Sequence, residues 1–205
     1  LEGPLQIFAV ADGMGGHAAG EVASSMALDV IRSYLGSRRH ELVEKSADNE
    51  SLRPYLEEML SLANEIVLSV GNKKPEYNGM GTTLTLILSV LNRAWLAHIG
   101  DSRAYRIHND RLERLTEDHT LVSQLVKNGQ IGEEETMDHP QRNILTRALG
   151  TDETAVFDVL PLELMPDDRL LLCTDGLHGM LTEQEILAVI HRSNEPAHLL
   201  EELVD

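Results

Sequence analysis

The order in which apolar periodicity changes along the chain constrains its fold more than any other feature. A short β-rich run from Leu5 to Ala11 comes first, two stretches with apolar residues at helical spacing follow, and several more β-rich runs come after them. Helices that arrive as a block between strands favour an antiparallel α+β arrangement, with helices packed on sheet faces, over an alternating parallel one. The first helix is expected over Ala18 to Leu35, where Val22, Met26, Val30 and Ile31 recur and Gly36 is a stop signal. Pro54 can open the second, which carries Leu56, Met59, Leu60, Ala63, Ile66, Val67 and Val70 on one side. Residues 37–51 are polar and aperiodic, a spacer between helices.

Strands are expected at Thr82 to Leu91, Arg93 to Ile99, Arg103 to Ile107 and Leu112 to Leu115, a meander with His108, Asn109 and Asp110 as one of its turns. Leu121 to Val126 reads as a short helix ending near Asn128 and Gly129, and the polar stretch 129–149 reads as a mobile surface excursion. Val156 to Leu160 and Arg169 to Thr174 supply two more strands. A last helical region begins at Thr182, where Thr182 and Glu185 fit a capping box.

A length of 205 residues suits one domain. Aromatics are 3% of the chain, so the core must come from Leu, Val, Ile, Ala and Met. Thirty-four acidic against seventeen basic residues give a net charge of −17, a surface that repels nucleic acid and anionic membranes. The single cysteine, Cys173, lies in an apolar run, which excludes a disulfide framework and a thiolate zinc cluster. No segment approaches the roughly 18 apolar residues of a membrane helix. A cytoplasmic monomer is the expectation.

Two places share one grammar: an apolar strand delivers an Asp-Gly step, first at Asp12 and Gly13, later at Asp175 and Gly176. Each puts a carboxylate at a strand end. Carboxylates with a glycine carbonyl suit hard divalent cations such as Mg²⁺ or Mn²⁺, although either step alone is also an ordinary turn signal. Gly13, Gly15, Gly16 and Gly20 crowd the first turn, yet neither the Walker nor the dinucleotide spacing is present. Close approach of backbone to a metal or to the following helix is the better explanation for them.

Taken in order, Asp12-Gly13-Met14-Gly15-Gly16, Gly79-Met80-Gly81-Thr82-Thr83, Ile99-Gly100-Asp101-Ser102-Arg103 and Cys173-Thr174-Asp175-Gly176 resemble the PP2C-type (PPM) metal-dependent protein serine/threonine phosphatases. The bacterial stand-alone branch is the nearer match, through Thr116-Glu117-Asp118-His119, His139-Pro140 and Thr146-Arg147-Ala148-Leu149-Gly150. The resemblance implies a sandwich of two antiparallel sheets flanked by antiparallel helices, in four αββα layers. It implies hydrolysis of phosphoserine and phosphothreonine in proteins by a metal-activated water, with no covalent intermediate. Asp12 would bridge two Mn²⁺ or Mg²⁺ ions, the Gly13 carbonyl would bind one and Asp175 the other. Asp118 matches a position that helps hold a third, weaker ion, or else caps the helix after Thr120. Asp101 matches a supporting rather than a catalytic position, and 129–149 resembles the family's flap. Partners would be phosphorylated proteins, the substrates of a serine/threonine kinase.

The family also carries an upstream Arg that grips phosphate, an upstream acidic residue, and a late Asp-Asn pair, none of which falls within residues 1–205. The expectation is therefore a single domain incomplete at both ends, with a catalytically silent binding module as the alternative. Met14 stands where many eukaryotic members have a His, so no general acid carries over. His17, next to the glycine turn, reads as a surface residue.

Overall fold

Side-chain alternation along the central strands decides how the layers stack. The computed structural model describes residues 5–46, 52–91, 93–192 and 195–204. In chain order the elements are β1 (Leu5–Val10), β2 (Gly13–Met14), α1 (His17–Ser37), α2 (Arg39–Lys45), α3 (Arg53–Lys73), β3 (Gly81–Thr82), β4 (Leu84–Val90) and β5 (Arg93–Ile99). There follow β6 (Arg103–His108), β7 (Arg111–Arg114), α4 (Leu121–Lys127), β8 (Asp158–Leu162), β9 (Arg169–Cys173), α5 (Asp175–His178), α6 (Glu183–Ile190) and α7 (Pro196–Val204). One antiparallel sheet runs β1-β4-β5-β8, a second runs β7-β6-β9, and β2 and β3 form a short ladder between turns.

Across β4 and β5 the register sets Leu84, Leu86 and Leu88 opposite Ile99, Ala97 and Trp95. These residues share one sheet face and pack on Ala23, Ala27 and Ile31 of α1 and Met59, Leu60 and Ala63 of α3. Burying each such Leu or Ile fully contributes roughly 1.5–3 kcal/mol. The alternate residues, Ile87 and its partner Leu96, point the other way and meet Ala104, Leu170 and Leu172 from the second sheet. On that sheet's outer face Ile107, Leu112 and Leu171 pack against Ile186 and Ile190 of α6 and Leu199 and Leu203 of α7. The result is helix, sheet, sheet, helix, the four-layer α+β sandwich that the sequence implies.

Several boundaries differ from the sequence expectation. The polar spacer contains α2, because one fully buried side chain, Leu42, anchors seven residues whose apolar pattern is too short to show a period. Gly36 does not stop α1, which continues to Ser37; the stop comes where Arg38 leaves helical geometry and its N–H donates to the Tyr34 carbonyl at 3.1 Å. The eighth strand lies two residues later than expected and takes in Pro161, which an edge strand tolerates. The β6–β7 turn is as expected, with Asn109 and Asp110 both left-handed (φ 46° and 60°), the geometry of a type I′ hairpin. Asn92, read as the break between β4 and β5, lies outside the described residues. Among the described residues no helix is long and apolar enough to cross a membrane.

The excursion 129–149 is tied down on its return. Leu121 N–H donates to the Ile144 carbonyl and Thr146 N–H to the His119 carbonyl, both at 2.8 Å, and Leu149 N–H donates to the Thr82 carbonyl at 2.9 Å. Glu133, Glu134 and Glu135 form an exposed turn of 3₁₀ helix at its outer end.

Candidate active site

The β-register brings the strand-end carboxylates to one place. Val10 pairs with Thr85, so two residues further on Asp12 comes opposite Thr83. There Asp12 N–H donates to Thr83 Oγ1 (2.9 Å), while Thr83 N–H (2.8 Å) and the Thr82 hydroxyl (2.9 Å) both donate to the Asp12 carbonyl. Thr83 Oγ1 also shares a 2.7 Å hydrogen bond with Ser102 Oγ, which pins the start of β6 in the second sheet to the end of the first. In that second sheet Arg103 pairs with Cys173, so Asp101, just before β6, and Asp175, just after β9, leave the ladder at the same end. These ends open into a cavity of about 620 Å³ whose lining includes Asp12, Gly13, Asp101, Thr146, Arg147 and Asp175.

Like charges at such an end raise one another's proton affinity. Burial first, then the hydrogen bond with Asp175 and its charge, push the Asp12 carboxyl up, against a hydrogen bond from Thr174 that pulls it down. Asp101 is pushed up to about 6 by burial and by the charges of Asp175, Asp118 and Asp12. The structure thus brings Asp12 and Asp175 together on one cavity wall and adds Asp101, which the sequence reading had set aside as mere support. Nothing in the sequence displays the Arg103–Cys173 register that places it there.

Asp118 has a different partner. Arg103 grips it with Nε at 3.0 and 3.2 Å and Nη2 at 2.6 Å, while the Nη1 of Arg103 donates to the Tyr105 hydroxyl at 3.1 Å. Burial pushes the Asp118 carboxyl up, but the Arg103 hydrogen bonds and charge outweigh it and hold it below the usual range. Nor does Asp118 cap the following helix. Thr120 does, its Oγ1 accepting from Ser123 N–H at 3.2 Å.

The crowded glycines of the first turn answer to the helix. A Cβ on Gly13 would lie 1.9 Å from the Gly20 carbonyl oxygen, so the turn carrying Asp12 rests directly on the backbone of α1. The side chain of His17 lies outside the described residues.

Whether this ligand set suits a divalent cation turns on donor type. The converging groups are carboxyl oxygens, with a glycine carbonyl and threonine hydroxyls nearby, which suit hard cations. Of the sulfur-bearing residues nearby, Met14 lines the cavity with a neutral thioether, and Cys173 is buried in β9 with its thiol pushed up to about 11, so it is no thiolate. Among the described residues no three or more His, Cys, Asp or Glu side chains stand close enough together to hold a metal ion by themselves. What they offer is a strained acidic pair plus Asp101, and a cation would relieve its repulsion. The donors fit Mg²⁺ or Mn²⁺.

Comparison with known proteins agrees with the fold. The protein phosphatase 2C family model matches residues 2–205. The serine/threonine phosphatase stp of Listeria innocua is 37% identical over 184 residues, covering 90% of this chain and 71% of that protein. Among solved structures, the Mycobacterium tuberculosis serine/threonine phosphatase PstP/Ppp superposes with a TM-score of 0.83 at 34% identity, covering 99% of this chain and 84% of that one. The catalytic domain of PstP in complex with two manganese ions gives a TM-score of 0.77 at 31% identity, again over 99% and 84% of the two chains. This chain belongs to the protein phosphatase 2C family. It is a metal-dependent protein serine/threonine phosphatase by class, an enzyme whose substrates are phosphoproteins.

Proposed function

We propose that this chain dephosphorylates phosphoserine and phosphothreonine at the cavity between the sheet ends, with Asp12, the Gly13 carbonyl and Asp175 holding a pair of Mn²⁺ or Mg²⁺ ions. Asp101, rather than the Arg103-bound Asp118, is the carboxylate offered to a third ion. Bound divalent cations supply Lewis acidity, which activates water and neutralises phosphoryl charge. The protein's own contribution is placement. Thr82 and Thr83 fix the Asp12 backbone through three hydrogen bonds, and the Thr83–Ser102 bond keeps the two sheet ends in step. Cys173 is buried and protonated, so it offers no thiolate nucleophile to phosphate. The reading extends to one domain with residues 129–149 as a flap beside the cavity, acting as a cytoplasmic monomer on the products of a serine/threonine kinase.

The observation that carries the proposal is the convergence of Asp12 and Asp175, which come from strands of different sheets, on one cavity wall. Its test is phosphate release from a phosphothreonine peptide. Turnover is expected with Mn²⁺ or Mg²⁺ and not after chelation, and Asp12→Asn or Asp175→Asn is expected to lower it by about a thousandfold or more, with the fold retained by circular dichroism. Metal-independent turnover, or full activity in either variant, would overturn it.

A further inference from the structure

Arg147 is the one basic side chain among the described residues that line the cavity. Its backbone is fixed on both sides by the Thr146–His119 and Leu149–Thr82 hydrogen bonds. Its side chain is held too: Nη1 donates to Asp158 Oδ1 at 3.3 Å, at the start of β8. Asp158 Oδ2 in turn accepts from His119 Nε2 at 3.1 Å, and His119 Nδ1 accepts the Gly100 N–H at 3.2 Å. That last bond assigns the ring proton to Nε2, so His119 donates to Asp158 and leaves Asp158 Oδ1 free to hold the arginine. A continuous chain of hydrogen bonds therefore runs from the backbone just before Asp101 to the guanidinium.

One fork nitrogen of Arg147 is thus tethered while its side chain stays 41% exposed. Nη1 also lies 3.2 Å from His119 Nε2, and among the described residues Nε and Nη2 have no partner. Beside it, Thr146 Oγ1 is buried with no hydrogen-bond partner, and Thr146 lines the same cavity. A buried hydroxyl left unpaired next to a tethered cation marks a wall that awaits acceptors from outside the chain.

We propose that Arg147, positioned by Asp158 and His119, is a substrate-binding residue that clamps an oxyanion of the phosphoprotein through its free guanidinium N–H groups. This rests on the phosphatase reading above. The oxyanion is either the phosphoryl group itself or a carboxylate beside the phosphorylated residue, the two groups that the planar guanidinium binds in bidentate fashion.

Three substrates separate the sources: p-nitrophenyl phosphate, a phosphothreonine peptide with neutral flanks, and the same peptide with acidic flanks, each with Mn²⁺. Arg147→Ala is expected to raise KM by about 10- to 100-fold, the range for a lost charge-assisted hydrogen bond, with kcat changed by less than about threefold. A rise on all three substrates assigns the phosphoryl group, and a rise on the acidic peptide alone assigns the flanking carboxylate. Arg147→Lys should recover part of the loss. Asp158→Asn should raise KM in the same pattern but by less, because the arginine keeps its charge and loses its tether. Should Arg147→Ala not fold, Arg147→Gln repeats the comparison with the stem of the side chain kept and the charge removed. Unchanged KM on every substrate, whatever happens to kcat or melting temperature, overturns the clamp. Wild-type protein inert on all three overturns the phosphatase reading instead, and that result is seen before any variant is made.

Discussion

Replacing Arg103 by Met, which keeps an unbranched apolar stem and removes the charge, tests whether Asp118 is structural. The pair is nearly closed to water, with side-chain exposures of 17% for Arg103 and 10% for Asp118. Removing one member of a buried pair leaves the other charge uncompensated, which costs about 3–5 kcal/mol. Arg114, 3.9 Å from Asp118 and 39% exposed, offsets a little of this, so about 3 kcal/mol is the expectation. In a chain of this size that lowers the melting temperature by roughly 6 to 12 °C. Arg103→Met with Asp118→Leu should recover most of the loss, since a well-packed apolar pair is often as stable as the ion pair it replaces.

The pH dependence gives the sign. In the wild type Asp118 sits below the usual carboxyl range, so its contribution is present above the unfolded value, near 3.8, and fades as pH falls through the folded one. In Arg103→Met the same carboxyl is buried without its cation, so acid protonates it and relieves the penalty. The gap between variant and wild type is therefore widest near pH 7 and narrows toward pH 4. Denaturant melts at the two pH values, in chelator, measure it. A variant within about 1 kcal/mol of wild type at pH 7, or a gap that widens in acid, refutes the structural role. So does a loss of Mn²⁺ affinity in Asp118→Asn as large as that in Asp12→Asn.

Two further outcomes follow from buried groups near the site. Gly100 has φ of 106° and a Cβ there would lie 2.6 Å from Thr83 Cβ, so Gly100→Ala should lose about 2–3 kcal/mol in a denaturant melt; a loss under 1 would show that the β5–β6 turn yields. His98 is buried between Thr85 Oγ1 (2.8 Å) and the Glu117 carbonyl (3.0 Å), and burial, helped by His119, lowers it from 6.5 to about 4. Below its unfolded value the unfolded chain binds the proton and the folded one does not, so stability should fall by on the order of 2–3 kcal/mol between pH 6.5 and 4. His98→Gln should flatten that part of the stability curve, and an unchanged slope would remove His98 as its source.

The main elements were legible in the sequence because β4 and β5 are apolar, β-branched runs and the helical spacing in α1 and α3 is long enough to declare a period, whereas their stacking in four layers came from the family resemblance. So was the Thr182 cap, where Glu185 reaches back to the Thr182 N–H at 2.8 Å. Asp12 and Asp175 announced themselves as Asp-Gly steps at strand ends. Asp101 and Asp118 could not be ranked that way. Both are acids just outside strands, and what separates them is tertiary: one leaves the ladder beside Asp175, and the other is captured by an arginine fifteen residues earlier in the chain. The His119–Asp158–Arg147 chain was hidden for the same reason, since His119 and Asp158 are separated by 39 residues and meet only where β8 joins β5.

The position of the site also explains why an aliphatic sandwich is an effective support for it. Asp12 is delivered by the first sheet and Asp101 and Asp175 by the second, so their separation is set by what lies between the sheets. That layer is Ile87, Ala94, Leu96 and Ala104, backed by Leu115, Leu162, Leu170 and Leu172. Branched and small aliphatics have few rotamers and no polar atoms to satisfy, so they fix a spacing that long or flexible side chains would leave loose. At the end of the sandwich the apolar layer gives way to Thr83, Thr85, Ser102 and His98, each hydrogen-bonded across the seam or along it. The change from packing to hydrogen bonding happens where the strands end. Directional bonds are needed there, because a cation shared between sheets tolerates far less displacement than a methyl group does. The carboxylates are thus held apart by the core and aimed by the threonine–serine clamp, and both devices are coded on the inter-sheet face of the same strands, one along its middle and the other at its end.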